Sequence, residues 1–130
     1  MTNKAIEFED NRLQGIDKVI IRVFDIARSR DWYKTILGFE ESLEDLKYKL
    51  IVFDTGSPTS LTIWETDRNI AIEKETTTYI IFKTKDANAM RLELKNKGVL
   101  VDQLIEDDFV KYFFFYDLDG NILEACQVIE

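Results

Sequence analysis

The sequence predicts an α+β domain made of two tandem βαβββ modules, whose strands form a curved mixed sheet around a ligand cup. Two observations carry this. A strand-like run ending on aspartate, followed by a helical stretch closed by glycine, occurs twice, from Lys18 through Asp25 to Gly38 and from Tyr79 through Asp86 to Gly98, with offsets of 61, 61 and 60 residues. Each glycine is then followed by three strand candidates, the last closing on a glutamate, Trp64-Glu65 in the first copy and Leu123-Glu124 in the second.

The elements follow in order. Residues 1–14 read as an N-terminal extension, and the domain proper spans 15–130: a first module at 15–66, a polar linker at 67–76 and a second module at 77–129. Lys18-Val-Ile-Ile-Arg-Val and Tyr79-Ile-Ile-Phe-Lys-Thr are apolar strands. Asp25 and Asp86 are placed to accept from the free amides of a helix's first turn, and Gly38 and Gly98 suit the left-handed position after its last turn. Between them, Ile26, Trp32, Tyr33, Ile36 and Leu37, and then Ala89, Met90, Leu92 and Leu94, give one-sided apolar spacing. The remaining strands are Phe39–Leu43, Tyr48–Asp54 and Ser60–Glu65, then Val101–Ile105, Lys111–Asp117 and Ile122–Val128. Asp54-Thr-Gly-Ser-Pro58 and Asp117-Leu-Asp-Gly-Asn121 supply the turns.

Composition sets limits on function. The chain has 130 residues, a single cysteine, no histidine and a formal charge of −8. With basic residues scattered rather than clustered, the electrostatic footprint of a nucleic-acid binder is missing. One cysteine forms no intramolecular disulfide and no cysteine-based zinc cluster, and a reducing compartment is expected. No long apolar run is present, so neither a membrane span nor a secretory leader is expected, and the protein reads as cytoplasmic.

Strand alternation assigns faces. Val19, Ile21 and Val23 are expected under the first helix and Ile80 and Phe82 under the second, leaving Lys18, Arg22, Tyr79 and Lys83 on the opposite side. Glu65 and Glu124, at matching distances from their glycines, are expected to converge with Lys18 and Tyr79 in the cup. Only half of the run Tyr112–Tyr116 can line a cavity, and Phe113 and Phe115 are the expected ligand contacts.

Gly15-Ile-Asp-Lys-Val-Ile-Ile-Arg-Val, Arg28-Ser-Arg-Asp-Trp-Tyr-Lys-Thr-Ile-Leu-Gly-Phe-Glu40 and Phe115-Tyr-Asp-Leu-Asp-Gly-Asn-Ile-Leu-Glu124 together resemble the vicinal-oxygen-chelate superfamily of glyoxalase, bleomycin-resistance and dioxygenase proteins. The resemblance covers residues 15 to 129 and implies paired βαβββ modules, frequent assembly as homodimers and small-molecule sites inside the cup. It also implies that metal-dependent members place their ligands at the positions of Lys18, Glu65, Tyr79 and Glu124. Here a cation and a phenol occupy two of these positions, leaving Glu65 and Glu124 as an incomplete shell for a divalent metal, so no cofactor is expected.

Three functions follow from these residues. The first is binding of a small organic molecule without a metal, with the Lys18 ammonium beside Glu65 or Glu124 in place of the ion. The second is a metal-dependent lyase or isomerase in which Glu65 and Glu124 are the catalytic pair. The third is sequestration of a drug against aromatic walls. The sequence leaves catalysis open, although the missing histidines argue against an iron-dependent dioxygenase.

Overall fold

A computed structural model describes residues 12–130; of the expected extension at 1–14, residues 1–11 lie outside the described part. Both helices begin where the aspartates put them. Asp25 accepts from the Arg28 amide at 3.1 Å and starts α1 (Ile26–Thr35), and Asp86 accepts from the Ala89 amide at 3.0 Å and starts α2 (Ala87–Asn96). Gly38 and Gly98 take φ of 76° and 85°, the left-handed turn that lets the chain leave each helix.

The strands are β1 (Lys18–Val23), β2 (Glu40–Asp45), β3 (Leu50–Asp54), β4 (Ser60–Glu65), β5 (Ile80–Lys83), β6 (Ile105–Glu106), β7 (Val110–Tyr116) and β8 (Ile122–Val128). They form two mixed four-stranded sheets in the orders β1-β4-β3-β2 and β5-β8-β7-β6. In each, the first strand runs parallel to the last and the other pairings are antiparallel. The strand expected over Val101–Ile105 shrinks to β6 and a single bridge from Val101 to Phe115. Arg91 occupies the intervening backbone instead, donating to the Asp102 carbonyl at 2.6 Å.

One face of each sheet packs under its helix. Val23, Ile51, Phe53, Leu61 and Ile63 in the first module, and Phe113, Phe115, Leu123 and Ala125 in the second, join Tyr33 and Leu94 from the helices in one continuous core. Burial of each large apolar side chain contributes about 2 kcal/mol. Leu92, expected on the buried face of α2, is 48% exposed; Ala87 and Leu94 are the buried positions of that helix.

The modules are joined by an aromatic contact, Phe39 on Phe82 at 5.5 Å, and by a polar knot around the Asp117–Asn121 turn. Asp117 is buried and accepts from the Tyr33 hydroxyl at 2.7 Å, from the Asp119 and Asn121 amides at 2.9 Å each, and from Asn121 Nδ2 at 2.9 Å. The same turn reaches across to β1. Asn121 Nδ2 donates to the Arg22 carbonyl at 3.0 Å, and Asp119 accepts from the Phe24 amide at 3.1 Å.

Candidate functional site

The face of the second sheet turned away from α2 collects the chemistry. Along β8, Leu123 and Ala125 enter the core, so alternation turns Ile122, Glu124 and Cys126 the other way. Register then sets Phe114 beside Glu124 on one side and Ile81 on the other, with Tyr112 beside Cys126. Tyr79, just before β5, continues the row of Ile81. Its ring meets Phe114 edge-on at 5.4 Å, and Tyr112 meets Phe114 in the same way at 5.9 Å. Ile81 and Tyr79 remain 55% and 36% exposed, whereas Glu124 between them is only 5% exposed. The carboxyl is the floor of an open aromatic surface.

Electrostatics there follow from burial. Desolvation raises the Glu124 carboxyl above its ordinary value of 4.5, partly offset by the Tyr79 hydroxyl hydrogen-bonding to it. Desolvation and the Glu124 charge both raise the Tyr79 phenol, and the Cys126 thiol rises for the same two reasons. Tyr79 and Cys126 are therefore neutral at physiological pH, and Cys126 is a small strand residue rather than a nucleophile. A carboxyl whose folded pKa is raised contributes stability below its unfolded pKa and loses it as pH rises through the folded value. Glu124→Gln is accordingly expected to be more stable than wild type near neutral pH, with the gap closing below about pH 4.5. Urea midpoints at the two pH values check this.

The other expected site residues are placed differently. Glu65 does not meet Glu124: it lies on the helix face with Leu61 and Ile63, where its Oε1 accepts from the Ile26 amide at 3.0 Å and its Oε2 pairs with Lys49 at 3.1 Å. The reason is the register. Val19 lies beside Leu61 and Ile80 beside Leu123, so Thr62 is the counterpart of Glu124, and Gln127 is the counterpart of Glu65. Gln127 indeed accepts from the Ala87 amide at 2.9 Å, at the start of the second helix. Matching distances from the glycines misled because the loops of the second module are longer.

The amide of Ile26, followed by Lys49, holds the Glu65 carboxyl below 4.5. Such a group stabilises the fold above its unfolded pKa and loses that contribution as pH falls through the lowered value. Glu65→Ala is expected to cost about 1 kcal/mol at neutral pH, as removal of a helix-start acceptor does. The loss should shrink in urea titrations below the pKa of Glu65.

Lys18 does not reach either glutamate; it pairs with Asp17, at the opposite end of the β1–β4 ladder from Glu65. Arg22 is folded onto its own sheet, donating to the Trp64 and Glu65 carbonyls at 3.2 and 3.1 Å and lying 4.9 Å from the Trp64 ring centre. It shares with Tyr79 only a cavity of about 230 Å³ beneath Ile70 and Ile72. Phe113 is fully buried beneath α2 and touches no open surface. Phe115 is also core, although with Lys83 it edges a cleft of about 700 Å³ between the modules, beside Phe39, Phe82 and Met90. That cleft is the larger cavity, but no acidic side chain lines it, so it lacks the pairing of carboxyl and rings found around Glu124.

The aromatic residues that do border Glu124, Tyr112 and Phe114, are those the strand reading passed over. A signal for them was present: one alternate set of the run 112–116 carries both tyrosines, and hydroxyl-bearing rings belong on the face that meets solvent. At the rim Tyr116 donates to Asp102 at 2.7 Å, and Lys74 pairs with the same carboxylate at 2.9 Å while lying 5.5 Å from the Tyr116 ring.

The ligand set expected for a metal is not assembled. Glu65 faces the helix, Lys18 is a cation, Tyr79 is a neutral phenol, and the counterpart of Glu124 on the first sheet is Thr62, whose buried hydroxyl lacks a hydrogen-bond partner. Among the described residues no three histidine, cysteine, aspartate or glutamate side chains are grouped to hold an ion. One carboxylate with neutral hydroxyls does not fit a divalent metal.

Two modules, their register and their aspartate-glycine turns define the class, and comparison with known proteins agrees. The profile of the Glyoxalase/Bleomycin resistance protein/Dioxygenase superfamily matches residues 15–125, and the chain belongs to that superfamily. No curated protein matches it. Among solved structures it resembles a glyoxalase family protein from Bacillus anthracis (22% identity, 93% of this chain and 100% of that one, TM-score 0.76). It also resembles TnmS3, an antibiotic binding protein from Streptomyces sp. CB03234 (19%, 90% and 98%, 0.73). A third likeness is to a lactoylglutathione lyase from Agrobacterium tumefaciens (14%, 88% and 94%, 0.70). At these identities the likenesses establish the fold. No helix among the described residues is long and apolar enough to cross a membrane.

Proposed function

We propose that this protein binds a small organic molecule on the open face of its second sheet, against Tyr79, Tyr112, Phe114 and Glu124, without a metal. One observation carries the reading: a buried carboxyl lies beneath a row of rings of which Tyr79 is exposed and Tyr112 and Phe114 are half-buried. Rings left partly in solvent are the walls a ligand needs, and a single polar group beneath them orients it. TnmS3 supports the same use of the fold, since it is described as an antibiotic binding protein. The test is a thermal-shift screen of small aromatic compounds, with hits mapped by amide chemical shifts. Shifts centred on Tyr79, Phe114 and Glu124 support the reading; hits that shift only residues of the inter-module cleft refute it. Elemental mass spectrometry on untagged protein tests the metal: a tightly held ion, lost in Glu124→Ala, would restore a metal-assisted lyase or isomerase.

The nearness of Tyr79 to Glu124 favours a second reading, proton transfer at the ligand, because a carboxyl raised by desolvation above its ordinary value beside a phenol is suited to acid/base work. Glu124→Gln that turns over a discovered substrate at the wild-type rate would eliminate it.

We also read the protein as a cytoplasmic homodimer. Ile20, 47% exposed on the non-helix face of the first sheet, leaves apolar surface for a second copy to cover. Light scattering should return twice the chain mass of 15.3 kDa, and a value of one chain mass would end the dimer reading.

A further inference from the structure

From the two buried carboxylates among the described residues we infer that the ligand is an organic cation, whose positive group pairs with Glu124 and whose flat or apolar part rests on Tyr79, Phe114 and Tyr112. The inference rests on the binding reading above and deepens it.

The two carboxylates are treated differently by the fold. Asp117 is 7% exposed and saturated, taking four hydrogen bonds from Tyr33, Asp119 and Asn121. Glu124 is 5% exposed, yet among the described residues the Tyr79 hydroxyl is the one side chain that offsets its desolvation. Burying a carboxylate with so little compensation is costly unless a counter-charge arrives. Among the described residues none of the ion pairs includes Glu124.

The cations that might serve are placed elsewhere. Lys18 is held by Asp17, Arg22 by backbone carbonyls of its own sheet, and Lys74, though 5.7 Å from the Phe114 ring centre, by Asp102 at the rim. Lys83 lies on the same face but stands beside Cys126, further along the ladder than Glu124. Among the described residues no ion pair supplies that positive charge, which leaves the role to the ligand. The surroundings suit it: rings present a negative π-face to a cation, and the chain carries a net charge of −8 that draws cations and repels anions. An anionic ligand would meet an unpaired carboxyl, and a neutral one would leave it unsatisfied.

The experiment compares N-methylquinolinium with quinoline, which share a ring system and differ at neutral pH by a fixed positive charge. Affinities come from calorimetry, and amide shifts report where each probe sits. Wild type is expected to bind N-methylquinolinium about ten- to a hundred-fold more tightly than quinoline, the range of an ion pair reinforced by rings. Glu124→Gln, an isosteric change that removes a buried charge, is expected to bring the ratio below about three-fold while quinoline binding persists. Equal affinities in wild type, with both probes at Phe114 and Tyr79, would overturn the cation and leave the binding face intact. A preference that survives Glu124→Gln would also overturn it. Both probes binding away from this face would overturn the face and the cation together.

Discussion

Asp117→Ala is expected to lower stability by about 3–5 kcal/mol, the cost of removing one member of a buried network and leaving the others unpaired. In a domain of this size that is roughly 10–15 °C in Tm, read by differential scanning calorimetry. The magnitude follows from what is orphaned. Tyr33 is fully buried, so its hydroxyl would have no water to turn to, and the Asp119 and Asn121 amides would lose the acceptor that shapes the turn. The turn also carries the contacts from Asn121 to Arg22 and from Asp119 to Phe24, so its loss loosens the joint between the modules. Tyr33→Phe removes one donor and leaves Asp117 three others, and should cost about 1–2 kcal/mol. Equal losses in the two variants would mean that the knot acts only through the Tyr33 bond.

Adjacent phenylalanines on β7 should separate stability from binding. Phe113→Ala is expected to cost about 3–5 kcal/mol, because the side chain is fully buried under α2 and its removal leaves a cavity. Phe114→Ala should cost less, about 1–2 kcal/mol, since its half-buried ring stands on the other face between Tyr79 and Tyr112. Its loss should instead weaken ligand affinity about ten-fold, the worth of one aromatic wall. Chemical denaturation and calorimetry with the same ligand measure both quantities. The reverse pattern would mean that the register of β7 on β8 is off by one residue.

Local chemistry was legible in the sequence. Asp25 and Asp86 cap their helices and Gly38 and Gly98 end them, because capping and left-handed turns depend on residues a few positions apart. The repeat, and with it the βαβββ order, followed from those markers. β8 runs from Ile122 to Val128 and β4 from Ser60 to Glu65, as alternation and turns require. What the sequence could not decide was which residues of the two copies are equivalent across the sheet. That depends on how β1 pairs with β4 and β5 with β8, a parallel register set by side-chain packing over many intervening residues and not by distance from a glycine. The register turned Glu65 to the start of α1, matched Thr62 with Glu124, and put Phe114 rather than Phe113 at the open face. Because the strand period is two, a small difference in loop length moves a glutamate from cup to core side, and only the tertiary pairing fixes which side it takes.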